Sequence, residues 1–125
     1  MALGNQADFD MHSGDNRVLQ VTVRDDADVP VDITGATFKW QLSKLDASGA
    51  IPLPKSETPI LQKDNGGAGG VAIISAGLGR ADVTLLPADT AALRGSYYHE
   101  LQMVLGGLTS TVLFGTVTIY RDLIQ

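Results

Sequence analysis

The sequence predicts an all-β protein, folded as one antiparallel β-sandwich of about seven to eight strands with a short helical turn near residues 87–93. Short stretches of alternating apolar and polar residues indicate the strands, because successive side chains of a strand point to opposite faces. Turn-forming residues separate these stretches, and the chain contains 14 glycines and five prolines. Since 125 residues fit one domain, we expect residues 1–125 to form it, with residues 1–8 as a flexible or arm-like N-terminus.

Two strands are predicted in the first third of the chain. Arg17–Val23 is rich in β-branched residues, and the acidic segment after it, Asp25–Pro30, consists largely of turn formers. Val31–Thr34 is predicted as a short edge segment. Ala36–Ser43 is the most regular alternating strand. The side chains expected to face the core are those of Leu19, Val21, Val23, Ala36, Phe38, Trp40 and Leu42.

The middle of the chain, residues 44–70, is interrupted by prolines and glycines. Pro52, Pro54 and Pro59 have no amide hydrogen to contribute to a ladder, so any strand here is expected at a sheet edge. Asn65–Gly70 is rich in glycine and is predicted to be a flexible tip with little to pack against.

Two further strands, Val71–Ser75 and Arg80–Leu86, are predicted on either side of an Ala-Gly-Leu-Gly connection. The stretch that follows, LLPADTAALRGSYYHEL (residues 85–101), combines a strand end, a helical turn and a new strand. Pro87 suits the first position of a helical turn, and Asp89 places negative charge near its positive end. Seven residues are too few for an independent helix. The turn is therefore predicted to form a corner between two strands.

The last two strands are predicted to form a hairpin around Gly106-Gly107, because a type I′ turn requires positive φ at both central residues. This turn pairs Leu105 with Leu108, and it therefore sets the register. The predicted pairs are Met103 with Ser110, Leu101 with Val112, and His99 with Phe114. Continued without interruption, this register would turn Val117 and Ile119 away from the core, so we predict a β-bulge at Gly115 that returns them to it.

Composition argues against several classes of partner. The net charge is −5, the pI is near 4.7, and the nine Lys and Arg residues are scattered along the chain. Because generic binding to nucleic acid needs clustered cations, we expect no nucleic-acid partner. No apolar run approaches the ~20 residues of a membrane-spanning helix, and the N-terminus does not resemble a signal peptide, so we expect no membrane partner. The absence of cysteine excludes disulfides and thiolate metal sites.

The candidate catalytic and ligand-binding residues all have simpler structural interpretations. His99 and Glu100 are neighbours on a strand, so their side chains point to opposite faces and form no local acid–base pair. We expect His99 to be a packed or boundary residue, and His12 to be solvated in a loop flanked by Ser and Gly. No nucleophile–base set is present in the sequence. We therefore predict no catalytic residue and no enzyme activity.

Two segments have some features of ligand-binding loops. The aspartates of the acidic segment, together with Asp32, could bind calcium through clustered carboxylates, but their spacing is not that of an EF-hand and Asp is a common turn former. Gly66–Gly70 lacks the Lys-Ser/Thr pair and the helix of a phosphate-binding loop. We predict no metal and no cofactor.

Two features resemble immunoglobulin-like domains: Trp40 in a central strand, and a helical turn that leads into Tyr97-Tyr98. In that family a tyrosine near the start of the penultimate strand caps backbone groups upstream with its hydroxyl. The resemblance implies this role for Tyr97 or Tyr98.

A narrower resemblance extends from about residue 10 to residue 124. The chain contains GDNR before its first long strand, an acidic turn followed by PVDITGA (residues 30–36), GSYYHEL (residues 95–101) and GTVTIYRD (residues 115–122). These motifs are similar to those of virion immunoglobulin-like modules of tailed phages, in particular the N-terminal domain of siphophage baseplate upper proteins. The long middle segment rich in Pro and Gly departs from that pattern.

The resemblance implies a non-enzymatic structural protein of a bacteriophage particle, located in the virion after assembly in the bacterial cytoplasm. Such a protein acts as an assembly, adaptor or decoration module of the baseplate, tail, fibre or capsid, with other virion proteins and copies of itself as partners. The alternative is a host-surface carbohydrate or receptor-binding module. Sugar binding usually needs exposed aromatic platforms, for which only Tyr98 and Tyr120 are candidates because Trp40 is expected to face inward.

Overall fold

The computed structural model describes residues 5–45, 59–67 and 69–121. Within these residues the chain forms nine strands and one short helix, arranged in two sheets. The prediction of an all-β sandwich is confirmed. The elements are β1 (Asn5–Gln6), β2 (Phe9–His12), β3 (Arg17–Thr22), β4 (Thr37–Lys44), β5 (Leu61–Asp64), β6 (Val71–Ser75), β7 (Arg80–Leu85), α1 (Pro87–Thr90), β8 (Gly95–Leu105) and β9 (Leu108–Tyr120).

The strand order is that of an immunoglobulin-like sandwich. The smaller sheet has the order β3-β7-β6, and the larger sheet has the order β1-β9-β8-β4-β5, with β2 following β1 along the same side of β9. One feature departs from a fully antiparallel arrangement, since β1 and β2 both run parallel to β9. The N-terminal strands therefore belong to the larger sheet and do not pair with β3.

The core lies between the two sheets and contains side chains from both. All seven residues predicted to face inward in β3, in β4 and beside them are buried, and Phe38 and Trp40 are completely so. Full burial of one such large apolar side chain stabilises the fold by about 1.5–3 kcal/mol. The remaining buried apolar residues are Met11, Ile33, Val71, Ala81, Val83, Leu85, Leu101, Met103, Val112, Val117 and Ile119.

The helical turn connects three parts of the fold. Asp89 of α1 accepts a hydrogen bond from the Leu86 N–H (2.7 Å) and forms an ion pair with Lys63 Nζ of β5 (2.7 Å). Thr90 is fully buried, and its hydroxyl accepts the N–H of Gly14, which precedes β3. The turn thus fixes an edge strand of the larger sheet and the entry to the smaller sheet, which explains its place in a strand-rich chain.

Tyr97 caps the backbone at the start of β8. Its hydroxyl donates to the carbonyl oxygen of Arg94 (2.8 Å) and accepts from the Arg94 N–H (3.2 Å). The immunoglobulin resemblance implied this role for Tyr97 or Tyr98, and Tyr97 has it.

The β8–β9 hairpin has the predicted turn. Gly106 and Gly107 have φ values of 59° and 79°, and Leu105 lies opposite Leu108. Met103 also lies opposite Ser110, as predicted.

The predicted position of the β-bulge in β9 is wrong. The register shifts between Leu101 and Gln102, and the extra residue is Val112, so that Leu101 lies opposite Leu113 and His99 lies opposite Gly115. From Leu113 onward β9 pairs with strands on both sides. An extra residue there would interrupt two ladders instead of one. The expected consequence of the bulge is confirmed, because Val117 and Ile119 are buried.

The described part of the middle segment forms a sheet edge, as the prolines predicted. β5 follows Pro59 and lies at the end of the larger sheet, whereas Pro52 and Pro54 lie outside the described residues. The tip after β5 is better anchored than predicted. The Asn65 side chain accepts from the Phe38 N–H and donates to the Ala36 oxygen, both at 2.9 Å. A side-chain amide thus takes the place of a strand neighbour where β5 ends.

Candidate functional site

Three connections lie at one end of the sandwich, which we call the loop end: the β3–β4 loop (residues 24–36), the β6–β7 turn (residues 76–79) and the β8–β9 turn (residues 106–107). The first two contact each other directly, because the Ile33 N–H of the β3–β4 loop donates to the Ala76 oxygen (2.9 Å). The edge segment expected at residues 31–34 is not one of the strands. These residues belong to the β3–β4 loop, in which Ile33 is buried.

The β8–β9 hairpin reaches the same end because its last residues pair with the start of β4. Val104 lies opposite Thr37, immediately after the β3–β4 loop. The β3–β4 loop joins the two sheets. It contacts the β6–β7 turn of the smaller sheet and leads into β4 beside the β8–β9 hairpin of the larger sheet.

The loop end exposes apolar side chains that nothing in the described chain covers. Val29, Leu78 and Leu108 are 53%, 65% and 73% exposed, one at each connection. Among the described residues, eight large apolar side chains are exposed, and Ile74 and Val104 join these three at or beside the loop end. Their three connections share one end of the sandwich, and an exposed apolar patch is typical of a surface that binds other proteins.

Asp25 and Asp32, two of the four possible calcium ligands, organise the β3–β4 loop instead. One oxygen of Asp25 accepts the N–H groups of Ala27 (2.9 Å) and Val29 (3.0 Å), so Asp25 holds Val29 at the tip. Asp32 accepts both the hydroxyl and the N–H of Thr34, which lowers the pKa of its carboxyl. In the described ranges, no three His, Asp or Glu side chains converge as a possible metal site.

A second notable site is the buried imidazole of His99. The residue is 0% exposed and both ring nitrogens are hydrogen-bonded: Nδ1 to Trp40 Nε1 (3.1 Å) and Nε2 to the Ala7 oxygen (2.6 Å). An indole N–H can only donate and a carbonyl oxygen can only accept. His99 is therefore neutral, with its proton on Nε2, and it connects the core tryptophan to the N-terminal segment. The prediction that His99 is a packed residue is confirmed.

The environment of His99 favours this neutral form. Burial lowers the pKa of His99, while the hydrogen bond to Ala7 and the charge of Asp8 oppose part of that effect. The Phe9 ring packs edge-on against the imidazole, with 5.1 Å between centroids. Glu100 points to the other face, where it accepts a hydrogen bond from the Thr111 hydroxyl (2.9 Å). The two neighbours thus form no pair, as predicted.

Tyr98 and Tyr120, the candidates for stacking on a sugar, do not form one platform. His12, expected in a loop, is the last residue of β2 and is exposed, and its ring lies 5.6 Å from that of Tyr120. Tyr98 lies opposite Thr116, four residues before Tyr120 on β9. That separation is about 13 Å along a strand, at ~3.3 Å per residue. One sugar ring could not stack on both tyrosines.

An open cavity of about 410 Å³ lies at the end of the sandwich opposite the loop end. Arg94 and Arg121 line it, together with Ser13, Gly14 and the three residues after α1. No aromatic ring lines it. Its two guanidinium groups favour an acidic ligand surface over a sugar.

Comparison with protein-family models and with curated proteins finds no match for this chain. The only described helix, α1, has four residues, and no helix among the described residues is long and apolar enough to cross a membrane.

The sequence reasoning missed the N-terminal strands and the role of His99 in holding them. The signal was present, because Phe9 and Met11 alternate with Asp8, Asp10 and His12 in the pattern of a half-buried strand. Nothing in the sequence indicated that this strand would pair with β9, in which Val117 is the partner of Phe9.

Proposed function

We propose that this chain is a non-enzymatic structural module of a bacteriophage particle that binds other proteins of the particle through its loop end. The observation that carries the proposal is the exposure of Val29, Leu78 and Leu108 on three connections that share one end. The phage context is supported by the sequence motifs, including PVDITGA and GSYYHEL.

The charge of the loop end specifies the kind of surface that it fits. The β3–β4 loop contains four aspartates and one arginine, which pairs with Asp28 at 3.8 Å. A complementary surface has an apolar centre and a rim of Lys or Arg. The cavity at the opposite end of this same chain, with Arg94, Arg121 and Leu93, has that character. Contact between the loop end of one copy and this cavity of the next is head-to-tail, and such contacts generate rings or filaments.

Size-exclusion chromatography with light scattering tests the proposal. We expect the chain to form a defined oligomer as its concentration rises, and we expect added salt to weaken it because the rims are charged. Replacement of both Leu78 and Leu108 by Ser should return it to monomer. The matched control is Val18→Ser, which changes an exposed apolar residue on the outer face of β3 and should leave the oligomer intact.

Two results would contradict the proposal. A chain that stays monomeric at every concentration and binds an oligosaccharide on a glycan array is a receptor-binding module. An oligomer that the Leu78 and Leu108 changes leave intact would place the contact elsewhere and overturn the role of the loop end.

A further inference from the structure

The N-terminal strands pair with the rest of the molecule along one line. We call this line the β9 edge: the side of β9 from Leu113 to Tyr120, together with the ring of His99. Residues 5–6 and 9–12 pair with this edge in parallel, and the described residues show no other strand pairing for them. They can therefore leave without breaking any other ladder.

The β9 edge has specific requirements for what occupies it. The buried His99 Nε2–H donates to the Ala7 oxygen, and the Thr116 N–H donates to the Asp8 carboxylate at 2.9 Å. The Phe114 oxygen accepts the Ala7 N–H at 2.7 Å. An empty edge would leave the His99 Nε2–H and the Thr116 N–H without the partners that residues 7 and 8 provide. A filled edge is therefore favoured over an empty one.

The shape of the edge is as specific as its hydrogen bonds. A Cβ atom on Gly115 would lie 2.6 Å from both the Ala7 oxygen and an Asp8 carboxylate oxygen. Phe9 packs on the His99 ring, and Met11 is buried. The edge thus recognises residues 5–12 of this chain by backbone approach, polar contacts and apolar packing together.

We infer that the β9 edge of one copy also accepts residues 5–12 of a second copy, so that the N-terminal strands are an exchangeable element between copies of this chain. An identical segment makes identical contacts in either copy, so the closed and exchanged arrangements differ only in the path of the connection to β3. The exchanged arrangement needs a second copy, so its population rises with protein concentration. That connection, residues 13–16, is a tight turn in which Gly14 has a φ of 82°. The inference concerns a different surface from the loop end and does not depend on the proposed function.

A disulfide between facing strands tests the inference in the full chain, which has no cysteine of its own. Asp10 and Thr118 are Cα partners in the β2–β9 pair and line the same shallow cavity, so Asp10→Cys with Thr118→Cys forms the reporter. Equal amounts of ¹⁴N- and ¹⁵N-labelled reporter chains are mixed at high concentration, unfolded in urea, refolded and oxidised. Mass spectrometry of the linked peptides then shows whether each bridge joins like or unlike chains.

We expect mixed-label bridges, approaching half of all bridges when exchange is complete, and a covalent dimer on a non-reducing gel. The matched control is Val104→Cys with Thr109→Cys, across the β8–β9 hairpin, where neighbouring strands belong to one chain. This control should give same-label bridges. If the reporter also gives only same-label bridges, or if both pairs give mixed bridges equally, the inference is wrong.

Discussion

Two regions of this molecule depart from the rule that apolar side chains are buried and polar ones are exposed, and they depart in opposite directions. Near the middle of the larger sheet, the polar ring of His99 is completely buried. At the loop end, Val29, Leu78 and Leu108 are more than half exposed. The buried imidazole finds a partner for each nitrogen inside the chain, whereas the apolar side chains find no cover there.

The difference separates folding from binding. A buried polar group whose partners are all intramolecular contributes to stability, and its loss is felt by the isolated chain. Exposed apolar side chains contribute little to the stability of the isolated chain. They stabilise a complex when a partner covers them. Changes at His99 should therefore lower the stability of the isolated chain, whereas changes at the loop end should weaken association and leave that stability nearly unchanged.

The largest effect is expected for His99→Leu. The change leaves the buried Trp40 N–H without an acceptor, which costs about 1–3 kcal/mol, and it removes the donor to the half-buried Ala7 oxygen. We expect the free energy of unfolding to fall by about 2–5 kcal/mol in urea titrations, which is a large part of a typical domain's stability. The control His12→Leu alters the exposed histidine of β2 and should cost about 0.5 kcal/mol or less. Equal losses for the two variants would contradict the structural role of His99.

A smaller effect is expected for Gly115→Ala, which acts on the same region through shape. The added methyl would collide with the backbone of the N-terminal segment, and such overpacking costs about 1–3 kcal/mol. Amide hydrogen exchange should show lost protection at Ala7 and in β2, with the β3-β7-β6 sheet unchanged. Gly77→Ala is the control, because a Cβ there meets nothing within 4 Å. If Gly115→Ala leaves the exchange of Ala7 unchanged, the close approach does not exist in solution.

The sequence predicted the fold well and the His99 site only in part, for identifiable reasons. Alternation placed Trp40, Phe38 and Leu42 correctly, because that pattern depends only on which face of a strand is buried. The position of the bulge was wrong because it depends on β9 pairing with β1 and β2, a contact between distant residues. For His99 the sequence predicted a packed or boundary residue, but the acceptor that makes its burial tolerable is a backbone oxygen, which no side-chain pattern reveals.

The stability of the folded chain should depend on pH through His99. Because burial lowers the pKa of folded His99 below its ordinary value of 6.5, the unfolded chain binds a proton more readily. The contribution of His99 is therefore fully present above pH 6.5 and is lost as the pH falls from 6.5 through the folded pKa. The stability difference between the wild type and His99→Leu should shrink over that range in urea titrations. His12 is present in both chains and cancels. A difference that stays constant or grows as the pH falls would contradict a neutral, buried His99.

The smallest effect on stability is expected at the loop end. Replacing Leu78 and Leu108 by Ser removes side chains that are 65% and 73% exposed, so little burial is lost in the isolated chain. Thermal unfolding at low protein concentration should differ from the wild type by about 0.5 kcal/mol per change or less, even though the same variant loses the oligomer. At high concentration the wild type alone should gain stability, because binding to the folded state stabilises it by mass action. If the variant is strongly destabilised as a monomer, these leucines belong to the fold. The loop end would then no longer contrast with His99.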